Sequence, residues 1–433
     1  MFPRRSKAVP GRAAKPGRRR LLPRLYPDEG RRLPGELRPA NVGRLAASLP
    51  DGLRDPGFAE LLQRIDDGPI LAGNRFEPFF RGDRAFAAMC TDIGRAQSEI
   101  LLESYILRDD TTGRGFLEAL AAARSRGVTV RVLADFFGSI ATRRAFWNEM
   151  RARGLDVRLF NPLFPQLWLQ PFRDHRKILV VDRRIAFTGG MNIADEYGSA
   201  PVGSRRGPWR DTHARVEGPT AWDMAVVFRE AWQWAGGDRF ELPPIEAPTD
   251  GGTRVLTLES RPGRGHGETA STLVAIAGAA RRRLWITNAY FAPRRRALDF
   301  LGAAVRRGVD VRLLLPGRTD VRLVRHAGHG YFADLLARGI RIFEYQAAIL
   351  HAKTLVADSR VCLVGSTNLD FRSFHFNAEC NLVILDDDAG GVFTRAFEED
   401  LAQAEEITAA GWRRRSFFHA AADACARLLA PLL

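Results

Sequence analysis

One spacing of residues, His-x-Lys-x-x-x-x-Asp, occurs twice in the 433-residue chain, at residues 175–182 and 351–358. Both copies continue into a similar segment, in which a glycine precedes an asparagine by three residues. A single His-x-Lys pair in a basic protein is usually part of an exposed strand edge, but coincidence rarely places so many shared residues at fixed offsets. The repeat therefore predicts two copies of one structural unit. The shared glycine and asparagine are Gly189 and Asn192 in the first copy and Gly365 and Asn368 in the second.

Each motif predicts a buried strand, because the residues between its lysine and its aspartate are mostly apolar. Residues two apart on a strand share a face, so the histidine and lysine of one motif should project together. The aspartate opens a short polar link typical of a hairpin turn, where its side chain bonds nearby backbone. We therefore interpret both aspartates as structural supports rather than proton carriers. The six motif residues assigned to the catalytic centre are His175, Lys177, Asp182, His351, Lys353 and Asp358.

Two histidines and two lysines that converge on one point suit a phosphodiester substrate. Lysine supplies a compact positive charge for the non-bridging oxygens. One neutral histidine can attack phosphorus while the other, protonated, gives its proton to the leaving alcohol, since histidine occupies either state near neutral pH. The expected intermediate is a covalent phosphohistidine that a second alcohol or water resolves. This chemistry requires no metal and no other cofactor.

The doubled motif resembles that of the phospholipase D superfamily, and the sequence around it is similar to the bacterial cardiolipin synthases, closest to their short form without membrane spans (cardiolipin synthase B-like). The resemblance extends from about Asn74 to the C-terminal region. It is highly specific for the superfamily and less specific for the substrate. The segments that carry it outside the motifs are 209–212, 216–219, 288–293 and 365–374, together with Asn377 and Glu379.

The resemblance also implies roles for residues outside the motifs. Asp211 and Glu379 are expected to hold the two catalytic histidines through their Nδ1 protons; a carboxylate that merely caps a strand is the alternative. Asn192 and Asn368 are expected to hydrogen-bond phosphate oxygens of the substrate. Ser366 stands where the first copy has glycine, so a hydroxyl contact to the phosphate would come from the second copy only.

Apolar strands alternate with helical segments on both sides of the chain's midpoint, which predicts an α/β fold. We expect a duplicated phospholipase D-type unit, a mixed β-sheet flanked by helices, that forms a pseudo-twofold enzyme of two domains. The active site should lie on the pseudo-twofold axis. The predicted boundaries are residues 74–240 for the first domain, 241–253 for a linker rich in Pro, Gly and Asp, and 254–411 for the second domain.

The excess of positive charge is concentrated at the N-terminus. Residues 1–40 contain twelve Lys or Arg, three Asp or Glu and seven prolines, and thus hold +9 of the chain's net charge of +15. This composition predicts a disordered basic arm. Such an arm suits anionic lipid headgroups and equally nucleic acid; a solubilising leader without either role is the alternative.

The regions flanking the two domains show no catalytic residues. Residues 41–73 predict short helices, which we expect to pack onto the first domain. Residues 412–433 place aromatic residues and leucines at helical spacing behind an arginine cluster, which indicates either an interfacial membrane helix or a final helix packed on the core. The chain has no run of 18 apolar residues, so peripheral association with a membrane is expected.

The leading hypothesis is a phosphatidyl transferase that makes cardiolipin from phosphatidylglycerol, with phosphatidylglycerol or phosphatidylethanolamine as the second lipid. The expected location is the anionic phospholipid surface on the cytoplasmic side of the bacterial inner membrane, and His175 is taken as the nucleophile by family habit. The alternatives are a phospholipase D hydrolase and a phosphodiesterase or nuclease, although nucleic acid is the less favoured partner. The histidines interpreted as structural or substrate-cleft residues are His213, His326, His329 and His375.

Overall fold

The computed structural model describes residues 42–66, 68–162, 171–198, 207–243, 251–261, 266–293 and 295–430. The predicted basic arm at residues 1–40 and residues 244–250 of the predicted linker lie outside these ranges. Three short helical segments come first in the described chain: α1 (Val42–Ser48), a 3₁₀ turn (Gly52–Arg54) and α2 (Pro56–Asp66).

The first repeat alternates strands and helices as the sequence predicts. Its elements are β1 (Leu71–Phe79), α3 (Gly82–Arg95), β2 (Glu99–Ser104), α4 (Thr111–Ser125), β3 (Thr129–Asp135), α5 (Arg144–Ala152), β4 (Asp156–Phe160), β5 (Arg173–Asp174), β6 (Lys177–Val181), β7 (Ile185–Gly189), α6 (Asp195–Gly198), β8 (His213–Glu217) and α7 (Pro219–Trp234).

The second repeat follows the same plan and adds a C-terminal extension. Its elements are β9 (Thr253–Ser260), α8 (His266–Ala279), β10 (Arg283–Asn288), α9 (Arg295–Arg306), β11 (Asp310–Pro316), α10 (Arg322–His329), α11 (Phe332–Ala337), β12 (Arg341–Tyr345), β13 (Lys353–Ala357), β14 (Val361–Gly365), β15 (Asn377–Leu385), α12 (Asp387–Leu401), β16 (Ala404–Ile407), α13 (Ala409–Arg413) and α14 (Phe417–Leu429).

The two repeats form one continuous mixed sheet, in the order β16-β12-β11-β10-β13-β14-β15-β9-β1-β8-β7-β6-β2-β3-β4. From the centre outward, each repeat contributes seven strands in equivalent order, and β16 covers the outer edge of the second repeat alone. The repeats meet where β1 and β9 pair antiparallel, near Leu71 and Val255. The fold is therefore the predicted duplicated α/β unit with a mixed sheet.

Both faces of the sheet are buried, which explains the continuous apolar runs of the motif strands. In β6, Ile178 and Val180 face an apolar cluster that both repeats share, whereas Leu179 and Val181 face the helices of the first repeat alone. The shared cluster also contains residues of α7 and α12. These two helices thus cover one face across both repeats, and the outer helices of each repeat cover the other.

The N-terminal helices pack differently from our expectation. Val42 and Leu45 of α1 and Phe58 of α2 belong to the apolar cluster of the second repeat, with α8 residues such as Ile276. Leu45 lies so close to Gly278 that a Cβ atom on that glycine would approach the leucine Cδ2 to 2.6 Å. The prediction that residues 41–73 pack onto the first domain was therefore wrong. Helix α8 is apolar over most of its length, and α1 and α2 remove its remaining face from water.

Candidate active site

Each catalytic motif begins with a backbone hydrogen bond to the other repeat. The His351 N–H donates to the carbonyl of Arg210, the residue before Asp211, at 2.8 Å. The His175 N–H donates to the carbonyl of Ala378, the residue before Glu379, at 2.9 Å. These crossed backbone hydrogen bonds place the carboxylate of one repeat beside the histidine of the other.

The side chains complete this exchange. Nδ1 of His175 lies 3.0 Å from Oε2 of Glu379, and Nδ1 of His351 lies 2.7 Å from Oδ2 of Asp211. A carboxylate that accepts the Nδ1 proton fixes the tautomer of the ring and leaves its Nε2 as the reactive nitrogen. All four side chains are buried, so each ring has one defined orientation. Neither repeat by itself contains a complete histidine–carboxylate pair.

The residue after the glycine that both repeats share is Gly190 in the first repeat and Ser366 in the second, and the difference matches the different lengths of the two carboxylates. Ser366 donates its hydroxyl proton to Oε2 of Glu379 and accepts the N–H of Cys380. At Gly190 there is no room for a side chain, since a Cβ atom would lie 2.2 Å from Oδ1 of Asp211. The fully buried Ser366 hydroxyl thus donates to one protein group and accepts from another, and its predicted contact with substrate phosphate remains a proposal.

The two motif lysines are held against the backbone of their own motifs. Nζ of Lys177 donates to the carbonyl of His175 at 2.6 Å. Nζ of Lys353 contacts the carbonyl of His351 and lies 2.8 Å from Nδ1 and 3.1 Å from Nε2 of the same residue. Each lysine lies two residues beyond its histidine, so the predicted common projection of the two side chains is present. The arrangement concentrates positive charge beside the two rings.

Burial is the main cause of the pKa shifts of these four groups. It lowers the pKa of His175 to about 4 although Glu379 opposes the shift. It also lowers the pKa of Lys177 to about 7 and that of Lys353 to about 8. For His351, burial and the charge of Lys353 lower the pKa together. A bound phosphodiester anion would favour the protonated forms of all four groups, because an opposite charge stabilises a cation.

Aromatic rings surround the two histidines. Tyr105 contacts the His175 ring with a centroid distance of 4.9 Å, while Tyr197, Trp209 and Tyr290 contact the His351 ring at 5.4–5.8 Å. This apolar wall excludes water and contributes to the burial that lowers the histidine pKa values. Tyr105 and Tyr290 both follow equivalent strands, but they stand one position apart, because Ser104 pairs with Lys177 and Asn288 pairs with Lys353. A position-by-position comparison of the repeats therefore does not identify them as site residues.

The two asparagines after the motifs have different surroundings. Asn192 is held by protein contacts, since its Oδ1 accepts the Ile106 N–H at 3.1 Å and its Nδ2 donates to the Tyr197 hydroxyl at 2.8 Å. For Asn368, the buried Oδ1 has no hydrogen-bond partner among the described residues. Asn192 thus positions an aromatic ring against His351, and its predicted contact with phosphate remains a proposal, as does that of Asn368.

The motif aspartates lie at the far end of their strands. Asp182 accepts the backbone N–H groups of Gln97, Ser98 and Glu99, and Asp358 accepts those of residues 281–283, all at 2.7–2.9 Å. The predicted turns are present, with positive φ at both aspartates. The carboxylates, however, bond the start of the neighbouring strand rather than their own turn. This arrangement agrees with the interpretation of both residues as structural supports.

Two further supports were not predicted. Arg210 donates to both carboxylate oxygens of Asp400 on α12, at 2.9 and 2.7 Å, and thereby anchors the segment that carries Asp211. Ser373 donates to Oε1 of Glu379 at 2.7 Å. The contact between Arg210 and Asp400 has no signal in the sequence spacing, because these residues are almost two hundred positions apart and meet only in the folded chain.

Comparison with known proteins places this geometry in a family. The family model described as "Cardiolipin synthase, PLD-like domain" matches residues 89–198 and 273–401, and each matched range contains one motif. A cardiolipin synthase of Geobacillus thermodenitrificans is 34% identical over 393 residues, 89% of this chain and 78% of that protein. Cardiolipin synthase A of Pseudomonas fluorescens is 36% identical over 373 residues, 84% and 76% of the two chains.

A solved structure supports the fold independently. The phosphatidylserine synthase of Haemophilus influenzae aligns with a TM-score of 0.64 over 87% of this chain and 100% of that chain, at 14% sequence identity. The family model covers more than half of this chain, and the relatives exceed 30% identity over most of its length. The chain therefore belongs to the cardiolipin synthase family of the phospholipase D superfamily, a family of phosphatidyltransferases.

Proposed function

We propose that this chain makes cardiolipin by transferring a phosphatidyl group through a phosphohistidine. The observation that carries the proposal is the crossed pair of buried histidine–carboxylate contacts, His175 with Glu379 and His351 with Asp211, with a lysine beside each ring. This arrangement provides two oriented imidazoles and two cations for one phosphodiester.

The first step breaks a P–O bond and forms a P–N bond. Nε2 of His175 attacks the phosphorus of phosphatidylglycerol, and His351 gives its Nε2 proton to the departing glycerol oxygen. Lys177 and Lys353 stabilise the charge that develops on the non-bridging oxygens. The low pKa of His175 keeps this ring neutral and nucleophilic near pH 7.

The second step reverses these events with a new alcohol. The now neutral His351 takes the proton from the headgroup hydroxyl of a second phosphatidylglycerol, and that oxygen attacks phosphorus. The P–N bond to His175 breaks, and cardiolipin and free glycerol are the products. Phosphatidylethanolamine as the donor would release ethanolamine instead by the same steps.

Several exposed apolar residues support docking on an anionic membrane surface. Phe137 and Ile140 follow β3, and Val321 and Leu323 follow β11, the equivalent strand of the second repeat; their exposure is 38–64%. These positions follow the C-terminal ends of β3 and β11. Lys177 and Lys353 begin strands that run in the opposite direction, so they lie at the same end of the sheet. We infer that this end of the sheet faces the cytoplasmic leaflet of the bacterial inner membrane.

The C-terminal helix α14 has one side packed on the protein and another side exposed. Ala426 of α14 is buried against α10, whereas Phe417 and Phe418 are 80% and 84% exposed. No helix in the described ranges is long and apolar enough to cross a bilayer. We propose that α14 is docked on the protein by one side and contacts lipid with its phenylalanines.

The test uses vesicles of phosphatidylglycerol with a labelled glycerol headgroup. Cardiolipin and free glycerol are expected in equal amounts, and both should disappear in His175→Ala and in His351→Ala. Phosphatidic acid without cardiolipin would identify a hydrolase instead. Absence of turnover, also with added phosphatidylethanolamine, would direct attention to other phosphodiesters such as nucleic acid.

Membrane docking is tested separately from catalysis. Ile140→Ser and Leu323→Ser are expected to reduce co-sedimentation with phosphatidylglycerol vesicles. Their activity on a monomeric short-chain phosphatidylglycerol should equal that of the parent protein. Unchanged vesicle binding in the double variant would contradict the proposal that this end of the sheet contacts the membrane.

A further inference from the structure

A cluster of potential metal ligands lies outside the catalytic site, between α10 and α14. His326 and His329 are three residues apart and share one side of α10. Asp423 of α14 faces them, with its Oδ1 2.8 Å from Nδ1 of His326 and 3.6 Å from Nδ1 of His329. In the part of the chain that the structure describes, this is the one group of three such ligands whose ligand atoms all lie within 4.8 Å of one another.

A second carboxylate orients one of the histidines. Nε2 of His329 lies 2.8 Å from Oε1 of Glu344 on β12, and Arg325 donates to both oxygens of the same carboxylate. If His329 donates its Nε2 proton to Glu344, its Nδ1 lone pair points toward the oxygen of Asp423. A carboxylate behind a histidine in this manner is the usual arrangement of metal-binding histidines.

Two acceptors then face each other without a proton between them. Nδ1 of His329 and Oδ1 of Asp423 are both acceptors in this tautomer, and a cation between them would satisfy both. The other oxygen of Asp423, Oδ2, is buried and makes no hydrogen bond within the described residues. Nε of Arg415 lies 3.5 Å from Oδ2 and balances its charge. Oδ1 lies against both histidines, so it is the oxygen that an ion would bind, and the ion would replace the proton that His326 shares with it.

We propose that His326, His329 and Asp423 bind one divalent transition metal ion of the zinc type. Two imidazoles and one carboxylate suit Zn²⁺ better than Mg²⁺ or Ca²⁺, which prefer oxygen ligands. His326 has 30% of its side chain exposed and borders solvent, so the fourth position can be taken by water. Bonds of about 2.0–2.2 Å require only small side-chain movements from the present spacing.

The site would fasten the C-terminal helix to the body of the enzyme. Two ligands come from α10, which begins beside the exposed Leu323, and the third comes from α14, which carries the exposed Phe417 and Phe418. Metal binding would therefore fix the relative positions of the two segments proposed to contact lipid. The metal site itself does not depend on the proposed phosphatidyl transfer.

The experiment is a titration of the full-length protein, stripped with a chelator, with Zn²⁺ alone by calorimetry and with Co²⁺ alone by visible absorption. We expect one ion per chain and the intense absorption of tetrahedral Co²⁺. His326→Ala, His329→Ala and Asp423→Asn should each weaken Zn²⁺ binding by more than a hundredfold. Glu344→Gln, which replaces the orienting carboxylate by a neutral and weaker acceptor, should weaken it by about 10–100-fold.

The control is His419→Ala, because His419 lies on the same helix, contacts Ser416 and does not belong to the cluster. Its affinity for Zn²⁺ should equal that of the parent protein. Equal affinity of the parent and the His326→Ala/His329→Ala double variant would overturn the proposal, as would octahedral Co²⁺ absorption. If Asp423→Asn unfolds, the partly exposed His326 still decides the question, since His326→Ala removes a ligand at the surface.

Discussion

The two histidine–carboxylate pairs perform equivalent functions with different supports. Glu379 accepts hydrogen bonds from the hydroxyls of Ser366 and Ser373 in addition to its contact with His175. Asp211 is shorter, packs against Gly190 without space for a side chain, and accepts the backbone N–H of Thr212. The two histidine–carboxylate pairs are therefore more similar to each other than are the residues that support their carboxylates.

This difference matters for how each carboxylate tolerates change. A hydroxyl can turn and either donate or accept a hydrogen bond, whereas a backbone N–H can only donate. The surroundings of Glu379 can therefore adapt to an amide, and those of Asp211 cannot. The two repeats should respond unequally to the same chemical substitution, and the following experiments use that inequality in order of expected effect.

Removal of a histidine should have the largest effect and should distinguish the two rings. His175→Ala and His351→Ala are each expected to lower kcat for phosphatidyl transfer by about 10⁶-fold. With a nitrophenyl phosphodiester, whose leaving group needs no acid, His351→Ala should still release a burst of nitrophenolate and retain the phosphoryl label on the protein. His175→Ala should show neither. The opposite pattern would assign the nucleophile to His351.

The amide substitutions test the unequal supports directly. In Asp211→Asn, the amide oxygen must face the Thr212 N–H, so the NH₂ group faces His351 and imposes the wrong tautomer; we expect kcat to fall about 10⁴-fold. In Glu379→Gln, Ser373 can accept from the NH₂ group and the oxygen can still face His175, so a fall of about 10–100-fold is expected. Steady-state kinetics on short-chain phosphatidylglycerol measure both, and equal losses would contradict the comparison.

The pH profile should report the two lysines. Lys177 with a pKa of about 7 and Lys353 with a pKa of about 8 are charged below these values and neutral above them. The lowered pKa of His351 removes its acid form at pH values below 6.5, so a fall between pH 7 and 8 reports the lysines and not this ring. We expect kcat/KM, which reports the free enzyme, to fall as pH rises from about 7 to 8. A fall that begins only near pH 10 would show that burial leaves the lysines unshifted.

Substitution of Gly190 or Ser366, the residues packed against the two carboxylates, should have a moderate effect on stability, and at Gly190 also on kcat. A methyl group at Gly190 would overlap Asp211, so Gly190→Ala should destabilise the fold by about 1–3 kcal/mol and lower kcat by about a hundredfold through displacement of that carboxylate. Ser366→Ala should cost about 1–3 kcal/mol, because the Cys380 N–H loses its acceptor. Denaturant unfolding and kinetics measure the two effects.

The matched control is Gly115→Ala, because a Cβ atom at this helical glycine would have no atom of the molecule within 4 Å apart from its own neighbours. It should stabilise the fold by up to about 1 kcal/mol and leave kcat unchanged. Normal kinetics in Gly190→Ala would contradict the packing argument for Asp211.

Substitution of Asp182 or Asp358 should lower the stability of the fold by a similar amount in each case and should leave kcat unchanged. Asp182→Asn and Asp358→Asn replace an acceptor of three backbone N–H groups, and each should lower the free energy of unfolding by about 1–3 kcal/mol. Below the unfolding transition, kcat should match that of the parent protein. A selective loss of kcat in either variant would return that aspartate to the catalytic residues.

Much of the fold follows from local sequence patterns. The apolar runs between the lysine and the aspartate of each motif are predicted as buried strands, and they are β6 (Lys177–Val181) and β13 (Lys353–Ala357). Such agreement arises because alternation of apolar residues and the positions of Gly and Pro act within a few residues of chain. The helices α1 and α2 were recognised, but the repeat against which they pack was not.

Part of the catalytic centre could likewise be predicted from the sequence, and part of it is visible only in the tertiary structure. Repetition of the motif determined the two histidines, the two lysines and the duplication itself, because side chains two residues apart on a strand must project together. Only the tertiary structure decided that each ring pairs with the carboxylate of the other repeat, that Ser366 serves Glu379, and that Asp400 anchors Arg210. The contacts between the repeats join residues far apart in sequence, whereas the Ser366–Glu379 contact joins the end of β14 to the neighbouring strand β15. A spacing rule cannot contain these contacts, since their geometry exists only once the strands have formed the sheet.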